Sequence, residues 1–90
     1  MEQDLARYKE RIVQDPEIMV GKPVVRGTRI PVELVLGKFA YDLDLDELFA
    51  AYPELEIDDV KAVLAFARDL VEADYRRSRR KDTTATAAEA

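Results

Sequence analysis

The chain has 90 residues, of which 48% are apolar and 37% charged, and its net charge is −5 at neutral pH. This length allows one small domain, and the composition is typical of a folded chain rather than a disordered one. The absence of cysteine and histidine excludes disulfides, thiolate zinc sites and imidazole-based catalysis.

The charges are segregated along the chain. Residues 1–41 have a net charge of +1, residues 42–74 of −9 and residues 75–90 of +3. A polyanion would be attracted to the two ends and repelled by the middle. Apolar runs are too short for a signal peptide or a membrane span, so we expect a cytoplasmic protein without membrane contact.

Residues 1–10 are predicted to form a short amphipathic helix or an extended arm, and residues 11–13 a strand beside a hairpin. In residues 20–32, two β-branched runs flank Gly27-Thr28, which predicts a tight hairpin with these two residues as its loop. Arg26 and Arg29 would then face each other across the strands. Like charges in such a pair are unfavourable unless an anion or carboxylates meet them.

This argument predicts a surface that binds DNA or a partner protein through the hairpin. The alternative is that Arg26 and Arg29 are solvated turn residues without a binding role, and the spacing alone does not separate the two interpretations. The residues assigned to the binding surface are Lys22, Arg26, Gly27, Thr28 and Arg29.

Two helices are predicted after the hairpin. Apolar residues recur at helical spacing over residues 32–39, and this helix should end near Tyr41. Asp44 and Glu47 have the spacing of a capping box, which predicts the start of a second, short helix that Tyr52-Pro53 ends. The residues predicted to be buried in the second helix are Leu45, Leu48 and Phe49.

The third predicted helix, residues 57–75, has two apolar rows. The first row contains Ile57, Val60, Leu64, Ala67 and Val71, and the second Val63, Phe66 and Leu70. Together they are wider than one small domain needs to cover, so we expect a homodimer with Val63, Phe66 and Leu70 at its interface. The alternative is that the hairpin and the first helix cover both rows.

Residues 42–59 are rich in carboxylates but lack the glycine and the ligand order of a calcium loop. Most lie at helix-capping positions, so we expect a solvated acidic surface, no metal site, no cofactor and no enzyme. The second and third helices have the dimensions of a helix-turn-helix. Carboxylates at the start of the third helix would repel DNA phosphates, so we expect this shape as a scaffold.

The end of the chain is basic and then small and polar. Its cations are Arg76, Arg77, Arg79, Arg80 and Lys81. They fit a solubilising helix end, a phosphate-binding arm or a peptide that neutralises an acidic cleft on a partner. Residues 83–90 have no bulky side chain to bury and are predicted to be disordered.

The segment G-K-P-V-V-R-G-T-R-I-P-V (residues 21–32), with Ile12-Val13 before it and Tyr52-Pro53 after it, resembles the domain-of-unknown-function 433 family. The resemblance runs from about residue 11 to residue 68. It implies a homeodomain-like or winged helix-turn-helix fold and an antitoxin of a type II toxin–antitoxin pair similar to VapBC systems. The implied partner is a PIN-like ribonuclease toxin with an acidic metal-binding active site.

We therefore predict a mainly α-helical chain with a short β-hairpin. It comprises an N-terminal segment over residues 1–10, one domain over residues 11–75 and a tail over residues 76–90. The predicted function is to neutralise a PIN-like toxin through the tail cations and to bind operator DNA as an autorepressor. The alternative is a protein interaction or assembly module that does not bind DNA. No small-molecule substrate is expected.

Overall fold

The computed structural model of the chain describes the backbone of residues 9–81 and the side chains of residues 9–79. Predictions for residues 1–8 and 82–90, and for the side chains of Arg80 and Lys81, lie outside this range. The described part begins with a 3-10 turn, Lys9–Arg11, and two strands, β1 (Ile12–Val13) and β2 (Val24–Val25). The helices α1 (Val32–Tyr41), α2 (Leu45–Ala51) and α3 (Ile57–Lys81) follow. The fold is mainly helical, as predicted.

Strand β2 lies between two neighbouring segments. On one side it pairs antiparallel with β1, with Ile12 opposite Val25. On the other side Val24 forms a bridge with Pro31, and the Val25 N–H donates to the Ile30 carbonyl at 3.0 Å. The predicted pairing of residues 11–13 with the hairpin is therefore confirmed for β1.

The core lies between this sheet, α1, α2 and the first part of α3. Val25, Val35, Leu48 and Val63 are fully buried, one from each element. Pro31 is the residue before the first turn of α1, and the first N–H of this helix, on Val32, donates to the Pro23 carbonyl at 2.9 Å.

Helix α2 begins with the predicted cap but buries less than predicted. Asp44 accepts a hydrogen bond from the Glu47 N–H at 3.2 Å. The Asp44 N–H donates to the Asp42 carbonyl at 2.8 Å, so Glu47 does not complete a capping box. Leu48 is fully buried, whereas Leu45 is 41% exposed because it lies at the edge of the core.

Helix α3 extends past the predicted end at Tyr75 and has two parts of different environment. In residues 57–69, which we call the core half, Val60, Ala62, Val63 and Ala65 are buried. In residues 70–79, which we call the arm, every residue is exposed. No helix in residues 9–81 is long and apolar enough to span a membrane.

Before β2 the chain makes a turn with left-handed backbone that the sequence did not predict. Met19, Val20 and Gly21 have φ values of 53°, 58° and 85°. For a β-branched residue this conformation is unfavourable, because Cβ approaches the following carbonyl oxygen. Val20 is also 94% exposed, so no packing of its side chain offsets the strain.

Candidate partner-binding surfaces

The turn after β2 has a different register from the predicted one. The Thr28 N–H donates to the Val25 carbonyl at 3.0 Å, so the central residues of this four-residue turn are Arg26 and Gly27. Gly27 has φ +82°, which favours glycine at the second central position of a type II turn. The predicted two-residue loop Gly27-Thr28 is therefore wrong by one residue.

The hydroxyl of Thr28 explains the shift. It donates to the Val25 carbonyl at 2.8 Å and accepts from the Ile30 N–H at 3.0 Å, which holds Thr28 inside the turn. Val25 and Ile30 then close a four-residue loop. Arg26 and Arg29 lie within that loop rather than opposite each other on two strands, so the argument from like charges across a ladder does not apply.

Arg26 and Arg29 are both exposed, and neither side chain forms a hydrogen bond or an ion pair with another residue of the described part. Arg26 lines an open cleft of about 420 Å³, together with Glu10, Arg11 and Asp59. We call residues 26–29 the arginine turn. Its two guanidinium groups remain available to an anion or to the carboxylates of a partner.

The third predicted cation of this surface already has a partner in its own chain. The Lys22 Nζ lies 3.4 Å from the Glu33 carboxylate in α1, and half or more of each side chain is exposed. Such exposed pairs contribute little to stability and exchange readily for other partners.

A further arginine, Arg11 before β1, contacts the start of α3, and no pattern in the sequence indicated this contact. The Arg11 Nη1 is 2.8 Å from Asp59 Oδ1 and 3.5 Å from Glu56 Oε1, and its Nη2 is 3.7 Å from Asp58 Oδ2. The hydrogen bond with Asp59 raises the pKa of Arg11 above its ordinary value. Arg11 therefore stays cationic and ties the beginning of β1 to the first turn of α3.

Asp59 is the buried member of this cluster, which corrects the prediction of a solvated acidic surface at its position. It is 7% exposed, and its second oxygen accepts from the Glu56 N–H at 2.9 Å. This bond is half of a capping box, and the spacing of Glu56 and Asp59 could have indicated it. Within the described range, no group of carboxylates is arranged to hold a metal ion.

The arm combines cations with apolar side chains. Leu70, Val71 and Tyr75 are 56%, 70% and 57% exposed. The Arg79 guanidinium lies 5.7 Å from the centre of the Tyr75 ring and donates to its hydroxyl at 3.0 Å, which raises the pKa of Arg79.

Two arginines predicted to bind a toxin form ion pairs within the helix. Arg76 lies 3.4 Å from Glu72, and Arg77 lies 2.7 Å from Asp74. Exposed pairs at this spacing contribute only about 0.3–0.5 kcal/mol each. A partner that offers carboxylates in a better geometry could therefore displace them.

The side of α3 that faces away from the core carries exposed apolar residues at regular spacing. Ile57, Leu64 and Val71 follow each other at intervals of seven residues, about two helical turns, and are 46%, 49% and 70% exposed. Tyr75 continues the line one turn further. We call these four residues the outer row.

The predicted dimer interface is wrong in its placement. Val63 is fully buried in the core of its own chain and has no surface left for a second copy, and Phe66 packs against that core. Leu70 is exposed, but on the arm. The core covers Val63 and Phe66 of the second row and also Val60 of the first, whereas Ile57, Leu64 and Val71 of the first row are exposed.

The chain matches the model of a family described as "Protein of unknown function (DUF433)" over residues 12–67. This range contains the sheet, α1, α2 and most of the core half, and it ends before the arm. A crystal structure of a DUF433 member protein from Anabaena variabilis is similar, with a TM-score of 0.64 and 26% identity. The similarity covers 84% of this chain and 78% of that chain.

Two relatives are similar in sequence. The uncharacterized protein y4eO of Sinorhizobium fredii is 35% identical over 78 residues, which are 87% of this chain and 34% of that protein. The chain thus spans about a third of the length of this relative. An uncharacterized protein of Archaeoglobus fulgidus is 67% identical over 24 residues, which are 27% of this chain and 67% of that protein.

Proposed function

The chain belongs to the DUF433 family, and from this premise we propose that it is the antitoxin of a type II toxin–antitoxin pair. The arm of α3 binds a PIN-like ribonuclease toxin, and Arg76, Arg77 and Arg79 interact with the carboxylates of its metal-binding active site. The proposed role is that of a binding protein without catalytic activity.

One observation carries this proposal: every residue of the arm is exposed although the arm continues a helix of the core. A helix that presents apolar side chains and arginines together is suited to a groove with an apolar floor and acidic walls. Leu70 and Arg77 are seven residues apart and therefore lie on the same side of the arm, where they can contact one partner together.

Operator binding is the second part of the proposal, and the arginine turn favours it. In this interpretation α2 and α3 form the homeodomain-like helix-turn-helix pair, and residues 26–29 occupy the place of a wing. The carboxylates at the start of α3 disfavour its insertion into a DNA groove. Arg26 and Arg29 carry the positive charge that would contact phosphates.

The toxin-binding part requires a PIN-like ribonuclease gene beside that of the chain and is tested with the product of that gene. We expect the chain to inhibit RNA cleavage in a fixed stoichiometry. The variant Arg76→Ala/Arg77→Ala/Arg79→Ala should need about a hundredfold higher concentration for the same inhibition, because each of the three lost contacts contributes about 1 kcal/mol.

The matched control is Arg26→Ala/Arg29→Ala, which removes two arginines elsewhere and should inhibit like the unaltered chain. Full inhibition by the triple arm variant would refute the assigned role of the arm. The absence of a PIN-like ribonuclease gene beside that of the chain would contradict the proposed class.

The DNA-binding part is tested by mobility shifts on the promoter of the chain at two salt concentrations. Phosphate-driven binding should weaken steeply as salt increases, and Arg26→Ala/Arg29→Ala should abolish it while the arm variant retains it. If the unaltered chain does not shift the promoter even at low salt, the alternative of a protein interaction module without DNA binding is favoured.

A further inference from the structure

We propose that two copies of this chain pair through the outer row of α3, with the two helices antiparallel. A surface helix normally has one apolar side, and that side faces the core of its own domain. In α3 the core already covers Val60 and Val63, yet Ile57, Leu64, Val71 and Tyr75 form a second apolar line in solvent. The exposed Lys61 and Arg68 lie between these residues on the same side of the helix. Exposed apolar side chains repeated over about five turns favour a docking surface rather than free solvent.

The charges along α3 favour a second copy as the occupant. The helix begins beside Glu56 and Asp58, whose side chains are 72% and 46% exposed, and it carries Arg76, Arg77 and Arg79 near its other end. Antiparallel pairing places the acidic start of each helix beside the basic end of the other, so the same attraction occurs twice. It also places the two helix dipoles in opposite directions.

Parallel pairing of the same surfaces is disfavoured by the same charges. It would bring the two acidic starts together and the two groups of arginines together, and such like-charge contacts oppose association. The sequence of α3 therefore specifies orientation as well as surface.

The spacing of the outer row allows a symmetric contact. If Leu64 of one copy lies beside Val71 of the second copy, the two-fold axis passes between Ala67, a small residue that permits close approach, and Arg68. The two exposed Arg68 side chains then extend away from each other into solvent. Ile57 then lies close to Ser78 of the second copy. The helices overlap over about 22 residues, or about 33 Å.

The apolar part of this interface does not rest on the proposed toxin contact, although both contacts draw on the arginines of the arm. Leu70 precedes Val71 by one position, which places the two side chains about 100° apart around the helix axis. A toxin on the side of Leu70 and Arg77 leaves the outer row open. The dimer is therefore tested at Leu64 and Val71, which the toxin contact does not use, and the arginines that the two contacts share stay unaltered.

The test is sedimentation equilibrium of the full chain between 1 and 500 µM, the range in which weak and tight dimers separate (on the order of micromolar dissociation constants). We expect a dimer, and we expect Leu64→Glu/Val71→Glu to raise its dissociation constant about a hundredfold or more. The matched control is Leu70→Glu, which introduces the same charge on the same helix but on another side and should leave the dimer unchanged.

Circular dichroism of each variant shows whether the fold is retained, and we expect it to be because all three side chains are about half or more exposed. A monomer at every concentration would overturn the proposal. A folded Leu64→Glu/Val71→Glu variant that dimerises like the unaltered chain would overturn it as well.

Orientation is tested by disulfide trapping, for which the chain is suited because it contains no cysteine. Antiparallel pairing predicts that a mixture of Ile57→Cys and Ser78→Cys chains forms a mixed disulfide under mild oxidation. Each cysteine variant alone should form little disulfide-linked dimer. Efficient self-linkage of Ile57→Cys alone would indicate parallel helices and overturn the proposed arrangement.

Discussion

The core half and the arm of α3 share one continuous helix but differ in what surrounds them. Val60 and Val63 are at most 3% exposed, whereas Leu70 and Val71 are more than half exposed. The packed elements end near the ion pair of Lys9 with Asp69, whose charged atoms are 2.8 Å apart. Apolar periodicity therefore shows which residues share a side of a helix, and the rest of the chain decides whether that side is covered.

The largest effect on stability is expected in the core half, at its first turn. Asp59→Ala removes a helix cap and leaves Arg11 without its closest partner, so we expect a loss of about 2–3 kcal/mol in the free energy of unfolding. Urea denaturation measures it. Asp58→Ala, whose carboxylate is farther from Arg11 and half-exposed, should cost less than about 0.5 kcal/mol.

One substitution made in both halves compares them directly. Val63→Ala opens a cavity in the core and should lower the free energy of unfolding by about 2 kcal/mol, whereas Val71→Ala in the arm should change it by less than about 0.5 kcal/mol. Both are measured by urea denaturation at the same low protein concentration, because dimerisation would add its own stability. Equal effects would show that the arm packs in solution as the core half does.

A change of opposite sign is expected at the left-handed turn before β2. Asparagine tolerates this backbone better than valine, so Val20→Asn should raise the free energy of unfolding by about 1 kcal/mol. Val71→Asn makes the same exchange at an exposed position with right-handed backbone and should give no gain. If Val20→Asn is neutral, the turn is not strained in solution.

The smallest effect concerns the point where the core half meets the arm. The hydrogen bond from Lys9 lowers the pKa of Asp69 in the folded chain. The stabilisation by this ion pair is therefore fully present above about pH 4 and is lost as the pH falls through the pKa of Asp69 in the folded chain. The urea midpoints of the unaltered chain and of Asp69→Asn should differ at pH 7 and converge as the pH falls through the folded pKa of Asp69. A difference that persists in acid would contradict this assignment.

The features that the sequence predicted correctly depend on neighbouring residues. The apolar spacing predicted helix α1, the Asp44 cap predicted the start of α2, and Tyr52-Pro53 predicted its end. Each of these signals acts within a few residues, where intrinsic backbone preference and local hydrogen bonds decide the conformation.

The features that it did not predict depend on distance or on competing local bonds. Arg11 and Asp59 are 48 residues apart, so only the fold brings their charges together. The arginine turn shifted by one residue because a single hydroxyl, that of Thr28, holds two backbone groups. At Val20 the observed backbone opposes the intrinsic preference of the residue, so the sequence offered no local indication of it.

The continuity of α3 has a consequence for any protein that the arm holds. Residues 57–81 contain neither proline nor glycine, the usual causes of a bend, so the helix has no hinge between its two parts. A bound protein would keep a constant orientation relative to the sheet. Exchanging the side chains of the arm would then change which molecule is captured while leaving its position unaltered.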